Sequence, residues 1–152
     1  MSGRLASAIA MAGLVVWLGA APALADGTYH TSQYAFGALD GTSIRSGFVE
    51  NIHADGPDVY AHEQYVLNGG EPGTTYQVVL KIFPGDPTCS GNPIVIPTAS
   101  LRTNAAGNGT AYHVFTPEDA DGLRGLTVGG MWFLVDGGSP AYATACAQVE
   151  LD

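Results

Sequence analysis

The stretch His53-Ala54-Asp55-Gly56-Pro57-Asp58-Val59-Tyr60-Ala61-His62-Glu63 is the densest run of metal-ligating and acid–base side chains in the sequence. Imidazoles stand near both of its ends, with carboxylates between and beside them. A turn centred on Gly56-Pro57 would fold the flanking segments together and set His53 near His62, with Glu63 adjacent. Two imidazoles and a carboxylate suit zinc or copper, so the expectation is a metal site of His53, His62 and Glu63. The plainer reading keeps Asp-Gly-Pro-Asp as a turn with solvated acids. Calcium is not indicated: Asp55, Asp58 and Asp86 lack the alternation of an EF-hand loop, and Asp119 with Asp121 is too short a motif.

Other chemistries find less support. Serine hydrolysis needs a nucleophile, a base and an acid, and His113 with the serines supplies the residue types, yet no Gly-x-Ser-x-Gly elbow occurs. His113 alternates with Tyr112 and Val114 as an ordinary strand residue does. The pair Glu118 and Asp119 carries no signature separating glycosidase carboxylates from surface acids. No catalytic residue and no cofactor-binding residue is therefore assigned. The two cysteines, Cys89 and Cys146, are too far apart for a CxxC redox motif and make half of a structural zinc site at most.

The elements that position these residues begin after a leader. Arg4, the apolar run Ala6 to Leu18 and Ala23-Leu24-Ala25 have the three-part layout of a secretory signal peptide, cleaved after Ala25. The apolar stretch from Leu5 to Leu18 is about 14 residues, against the roughly 20 that span a bilayer. The domain reading is therefore 1–25 signal peptide and 26–152 a single domain, with no membrane contact after cleavage. Its compartment is extracellular or the cell envelope. In that oxidising setting an even cysteine count is read as one disulfide, Cys89–Cys146.

Of the five basic residues only Arg4 falls in the leader, so the remaining chain carries 14 acidic residues against four basic ones. Nucleic acid and anionic membranes are thereby disfavoured as partners. Charged residues make up 12 % of the chain, well below the roughly 25 % of ordinary soluble domains. With 21 Gly and 9 Pro among Tyr, Val, Thr and Ile, the composition favours turns and strands over helices.

Strand-like segments recur at 28–37, 43–53, 59–68, 74–83, 94–101, 109–115, 126–135 and 141–151, each bounded by turn residues. Tyr76, Val78, Leu80 and Ile82 share one face of a core strand. Near-continuous apolar character around Trp132 marks a strand covered on both sides or lying at a sheet interface. The Asn104-Ala105-Ala106-Gly107-Asn108-Gly109 run predicts a hairpin. Thr116-Pro117-Glu118-Asp119-Ala120 predicts one short helix, with an N-cap residue followed by Pro. Asn108-Gly109-Thr110 is a glycosylation acceptor by chemistry.

Tyr65-Val66-Leu67-Asn68-Gly69-Gly70-Glu71-Pro72-Gly73-Thr74-Thr75-Tyr76-Gln77-Val78 resembles the strand, turn and strand passage of fibronectin type III and related immunoglobulin-like domains, with Gly70 where that pattern usually has Leu. The resemblance implies a tyrosine corner, with Tyr76 buried and its hydroxyl returned to a nearby backbone group. Strands on either side of the passage outnumber those of the family, so the topology must differ.

The expected fold is an all-β, antiparallel immunoglobulin-like β-sandwich of about 7–8 strands. The expected function is a secreted, non-catalytic binding, adhesion or structural module, with an extracellular protein or carbohydrate as partner, recognised by loops or an aromatic sheet face. Two other readings stay open: a small metal-binding envelope protein using His53 and His62, and a secreted hydrolase with an unrecognised site.

Overall fold

The computed structural model describes residues 30–39, 41–53 and 60–151. The leader 1–25 and the Asp55–Asp58 turn lie outside the described residues. The described chain is all-β, with strands β1 (His30–Ala38), β2 (Ser46–His53), β3 (Ala61–Asn68), β4 (Thr75–Pro84), β5 (Ile94–Arg102), β6 (Gly109–Phe115), β7 (Leu126–Asp136), β8 (Ser139–Thr144) and β9 (Ala147–Leu151). One 3-10 helix, Pro117–Ala120, follows β6. The segment expected at 141–151 divides in two, because pairing breaks at Ala145-Cys146, where the cysteine is bonded to another loop.

All the strand pairs are antiparallel, in the order β5-β4-β7-β8-β1-β2-β3-β6 with β9 beside β7. Two strands change partner along their length. The first part of β1 pairs with β2, and its end, Phe36–Ala38, pairs with β8. Similarly, β7 pairs with β9 over Leu126–Gly130 and with β8 over Phe133–Asp136. The sheet therefore curls on itself, and its terminal strands β5 and β6 meet beside the turn that joins them. The result is nearly barrel-like.

Alternation explains the interior. Val49, Asn51 and His53 on β2, and Ala61, Glu63, Tyr65 and Leu67 on β3, point inward, while Glu50, Ile52, His62, Gln64 and Val66 point outward. Tyr76, Val78 and Leu80 are buried as expected, joined from β7 by Val128, Trp132 and Leu134. Tyr76 packs edge-on against Tyr142, with ring centres 5.6 Å apart. A hydroxyl-to-backbone bond is made here by Tyr142, which donates to Ser43 O at 3.0 Å. In the hairpin, Gly107 has φ +73° and a Cβ there would lie 2.0 Å from Gly70 O, so only glycine fits.

At Gly129 the loop after β4 covers the second face of β7. A Cβ on Gly129 would sit 2.5 Å from Asp86 O and 2.7 Å from Cys89 Sγ, so this loop lies directly on the strand. Cys89 is bonded to Cys146, with Cα atoms 5.9 Å apart. Asp86 holds the loop together. Its carboxylate accepts from Thr88 Oγ1 at 2.6 Å and from the backbone N–H groups of Thr88, Ser90 and Gly91 at 2.9, 2.9 and 2.7 Å.

These bonds, that from the Thr88 hydroxyl foremost, pull the Asp86 carboxyl down to about 2 from an ordinary 3.8. The unfolded chain protonates first, so this clamp contributes fully above about pH 3.8 and is lost as pH falls through 2. An NMR titration of the Asp86 carboxyl carbon should show a midpoint near 2. A midpoint near 3.8 would mean that the clamp does not form in solution.

Candidate binding cavity

Register brings Asn51 opposite Glu63, and Tyr65 follows two residues along the same inward face. Glu63 is 0 % exposed. Its Oε1 accepts from Asn51 Nδ2 at 2.8 Å, and its Oε2 accepts from the Tyr65 hydroxyl at 2.5 Å and from Trp132 Nε1 at 2.9 Å. Tyr65 shares a further bond with Thr98 Oγ1, 2.8 Å away. Thr98 is the residue skipped where β5 pairing slips from Ala99 to Pro97, and such a bulge re-aims a side chain. Trp132 reaches Glu63 from β7 and is stacked by Tyr34, with ring centres 5.0 Å apart. One carboxyl thus joins β2, β3 and β7.

Burial pushes the Glu63 carboxyl up from its ordinary value, and the bonds from Tyr65, Trp132 and Asn51 oppose that shift without cancelling it. The Tyr65 hydroxyl is raised by burial first and by the neighbouring Glu63 charge second. All three groups that bond Glu63 are neutral.

Beside this cluster lies a partly open cavity of about 50 Å³. Asn51, His53, Glu63 and Trp132 form its polar part. Leu80, Ile82, Ile96, Val128 and Leu151 make apolar walls, while Ala120 and Leu123, in and after the 3-10 helix, bound it at the end where β6 finishes. Asp119 also reaches its lining, and its carboxylate accepts from Thr116 N at 2.7 Å to cap the helix. Asn51 is 7 % exposed, and its Oδ1 is buried with no hydrogen-bond partner among the described residues. A buried acceptor left over beside a cavity is a costly feature unless something donates to it.

Register also decides where the residues read as zinc or copper ligands, His53, His62 and Glu63, fall. The chain does bring β2 and β3 together, but His62 pairs with Ile52 and His53 with Ala61, which sends the imidazoles to opposite faces. His53 is buried and meets the edge of Tyr60, with ring centres 5.3 Å apart. His62 stands on the outer face beside Tyr112, 6.0 Å between ring centres, and Tyr112 is 72 % exposed. Glu63 stays with His53 on the inside. Among the described residues no three His, Cys, Asp or Glu side chains gather to hold a metal ion.

The other sequence candidates are dispersed. His113 packs edge-on to Phe115 at 4.5 Å between centres and does not itself line the cavity. Glu118 is exposed. Asn108 Oδ1 accepts from Gly69 N at 3.1 Å in the hairpin. What residue reading missed is Asn51 and Trp132 as partners of Glu63. One signal was present: Glu63 is in phase with Ala61, Tyr65 and Leu67, which marks a carboxylate directed into a core. Comparison of the chain with protein-family models, curated proteins and solved structures finds no match.

Proposed function

We propose that the protein is a secreted, non-catalytic binding module of immunoglobulin-like architecture, and that its ligand is a small, largely apolar molecule held in the cavity beside Glu63. The observation that carries this reading is Asn51, which lines the cavity and whose buried Oδ1 has no hydrogen-bond partner among the described residues. Its neighbour Glu63 does not need such a partner, since both of its oxygens accept from the protein. A group that enters and donates to Asn51 removes the penalty of the lone acceptor, and its apolar part is desolvated against Leu80, Val128 and Leu151. Export is supported by the leader-like residues 1–25 and by the disulfide.

The sequence has two tryptophans, and Trp17 lies in the leader, so Trp132 is a unique reporter in the processed chain. Addition of linear four-carbon alcohols and amines to the isotopically labelled chain should shift the Trp132 indole N–H and Asn51 side-chain amide resonances in a saturable manner. If neither class of probe moves either resonance, the cavity is not a binding site and the reading fails.

A further inference from the structure

We infer that β6 is the surface by which two copies of this chain pair, edge to edge and antiparallel, about a two-fold axis at Tyr112. This surface is separate from the cavity and independent of what the cavity holds.

Two strands end the sheet. Among the described residues β5 pairs with β4 alone and β6 with β3 alone. They meet at the turn between them, where a Cβ on Gly109 would lie 2.6 Å from Arg102 O, but they form no ladder with each other. Each therefore keeps a row of backbone N–H and C=O groups open to another strand. On β5 that pairing is obstructed by Pro97 and by the slip in register beside it, both of which protect an edge. β6 has neither device. Its seven residues, Gly109–Phe115, contain no proline and no Asp, Glu, Lys or Arg, and they run against β3 without a shift in register. Strand propensity without charge or proline is what strand-to-strand association requires. Tyr112, at 72 %, is the most exposed large apolar side chain among the described residues, and Val114 on the same face is 40 % exposed.

Charge selects a second copy as the occupant of this edge. The chain carries a formal charge of −9, so copies repel one another except where the facing surfaces are uncharged or opposite in sign. The outward side chains of β3 and β6, His62, Gln64 and Val66 with Thr110, Tyr112 and Val114, include no carboxylate. Full overlap of two such strands running in opposite directions fixes the register. Tyr112 then faces its own copy, Thr110 faces Val114, Ala111 faces His113, and the outward faces of both copies lie on one side. The same register lays the end of β6, with exposed Glu118 and Asp119 just beyond it, beside the start of the other β6, which Arg102 adjoins at Gly109. Each end of the seam thereby carries acids from one copy and a base from the other. A seam of one strand, roughly 23 Å long for seven residues, lies at the small end of specific interfaces, so the dimer is a weak one.

Sedimentation equilibrium of the oxidised protein at pH 7, from about 10 µM to about 1 mM, should show monomer passing to dimer and no further. Tyr112→Lys and Tyr112→Glu each set like charges face to face on the axis and should weaken association at least about tenfold. An equimolar mixture of the two variants sets opposite charges there, and should associate at least about tenfold more tightly than either variant alone. A wild type that stays monomeric at about 1 mM overturns the proposal and leaves the edge to a partner of other sequence. A dimer that both variants leave unchanged, a mixture no tighter than its components, or growth beyond the dimer overturns it as well, since the contact then lies elsewhere, off the axis or on more than one edge. In the wild type, amide resonances that move with concentration should be confined to Gly109–Phe115 and its flanks. Movement elsewhere overturns the assignment to β6, and this readout decides the matter even if a variant does not fold.

Discussion

Replacement of Glu63 by alanine is expected to lower folding stability by about 3 kcal/mol or more, whereas Glu63→Gln should stay within about 1 kcal/mol of the wild type. The asymmetry follows from the bonding. Alanine leaves the Trp132 Nε1–H, the Tyr65 hydroxyl and the Asn51 amide without their shared acceptor, in a site that is 0 % exposed, and adds a void. Glutamine keeps one oxygen for Trp132 and Tyr65, and its NH₂ is satisfied once the Asn51 amide turns over.

The pH dependence has a definite sign. Burial raises the Glu63 carboxyl above its ordinary 4.5, so the folded protein holds this proton at pH values where the unfolded chain has released it. The associated stability is fully present below about 4.5 and is lost as pH rises through the folded value. The wild type should therefore lose stability relative to Glu63→Gln between pH 4.5 and neutrality. Urea denaturation of both proteins across that range reads the difference. Parallel curves would show that Glu63 titrates as an ordinary acid, and an alanine variant of wild-type stability would show that the three-donor cluster is inconsequential.

The second large effect concerns the covalent link. The Cys89→Ser, Cys146→Ser double variant should lose about 4 kcal/mol, the unfolded-chain entropy returned when a closed loop of this size is opened. The bonded residues are 57 apart in sequence. A local loss adds to this, because Cys89 holds the Asp86 loop against Gly129 and itself sits at φ +55°, a strained conformation for a side-chain-bearing residue. Urea midpoints of the variant and the oxidised wild type provide the measurement. A loss below about 1 kcal/mol would mean that the unfolded chain is already compact around these positions.

Most strands were legible in the sequence because each carries an alternation with one buried face. The alternation of Tyr76, Val78 and Leu80, the hairpin glycine Gly107 and the Thr116-Pro117 helix start all express local chemistry, and the structure has each of them. Register between strands is a different matter. One residue of slip decides whether His62 shares a face with His53, and nothing in the turn residues specifies it. Closure of the sheet depends on β1 and β7 each serving two partners, which no single-strand pattern encodes. The site depends on a still longer relation, since Trp132 and Glu63 are 69 residues apart. An alternating Ala61, Glu63, Tyr65 and Leu67 could announce a buried carboxylate, but not what would meet it.

The pairing of Phe36 with Thr144 has a kinetic consequence. It joins positions 108 residues apart, so the chain must close a very long loop before β1 can bridge β2 to β8. Once Cys89 and Cys146 are joined, the shortest covalent path between those positions falls to about half, which lowers the closure cost by about 0.6 kcal/mol. Oxidation thus eases the closure of a seam to which neither cysteine belongs.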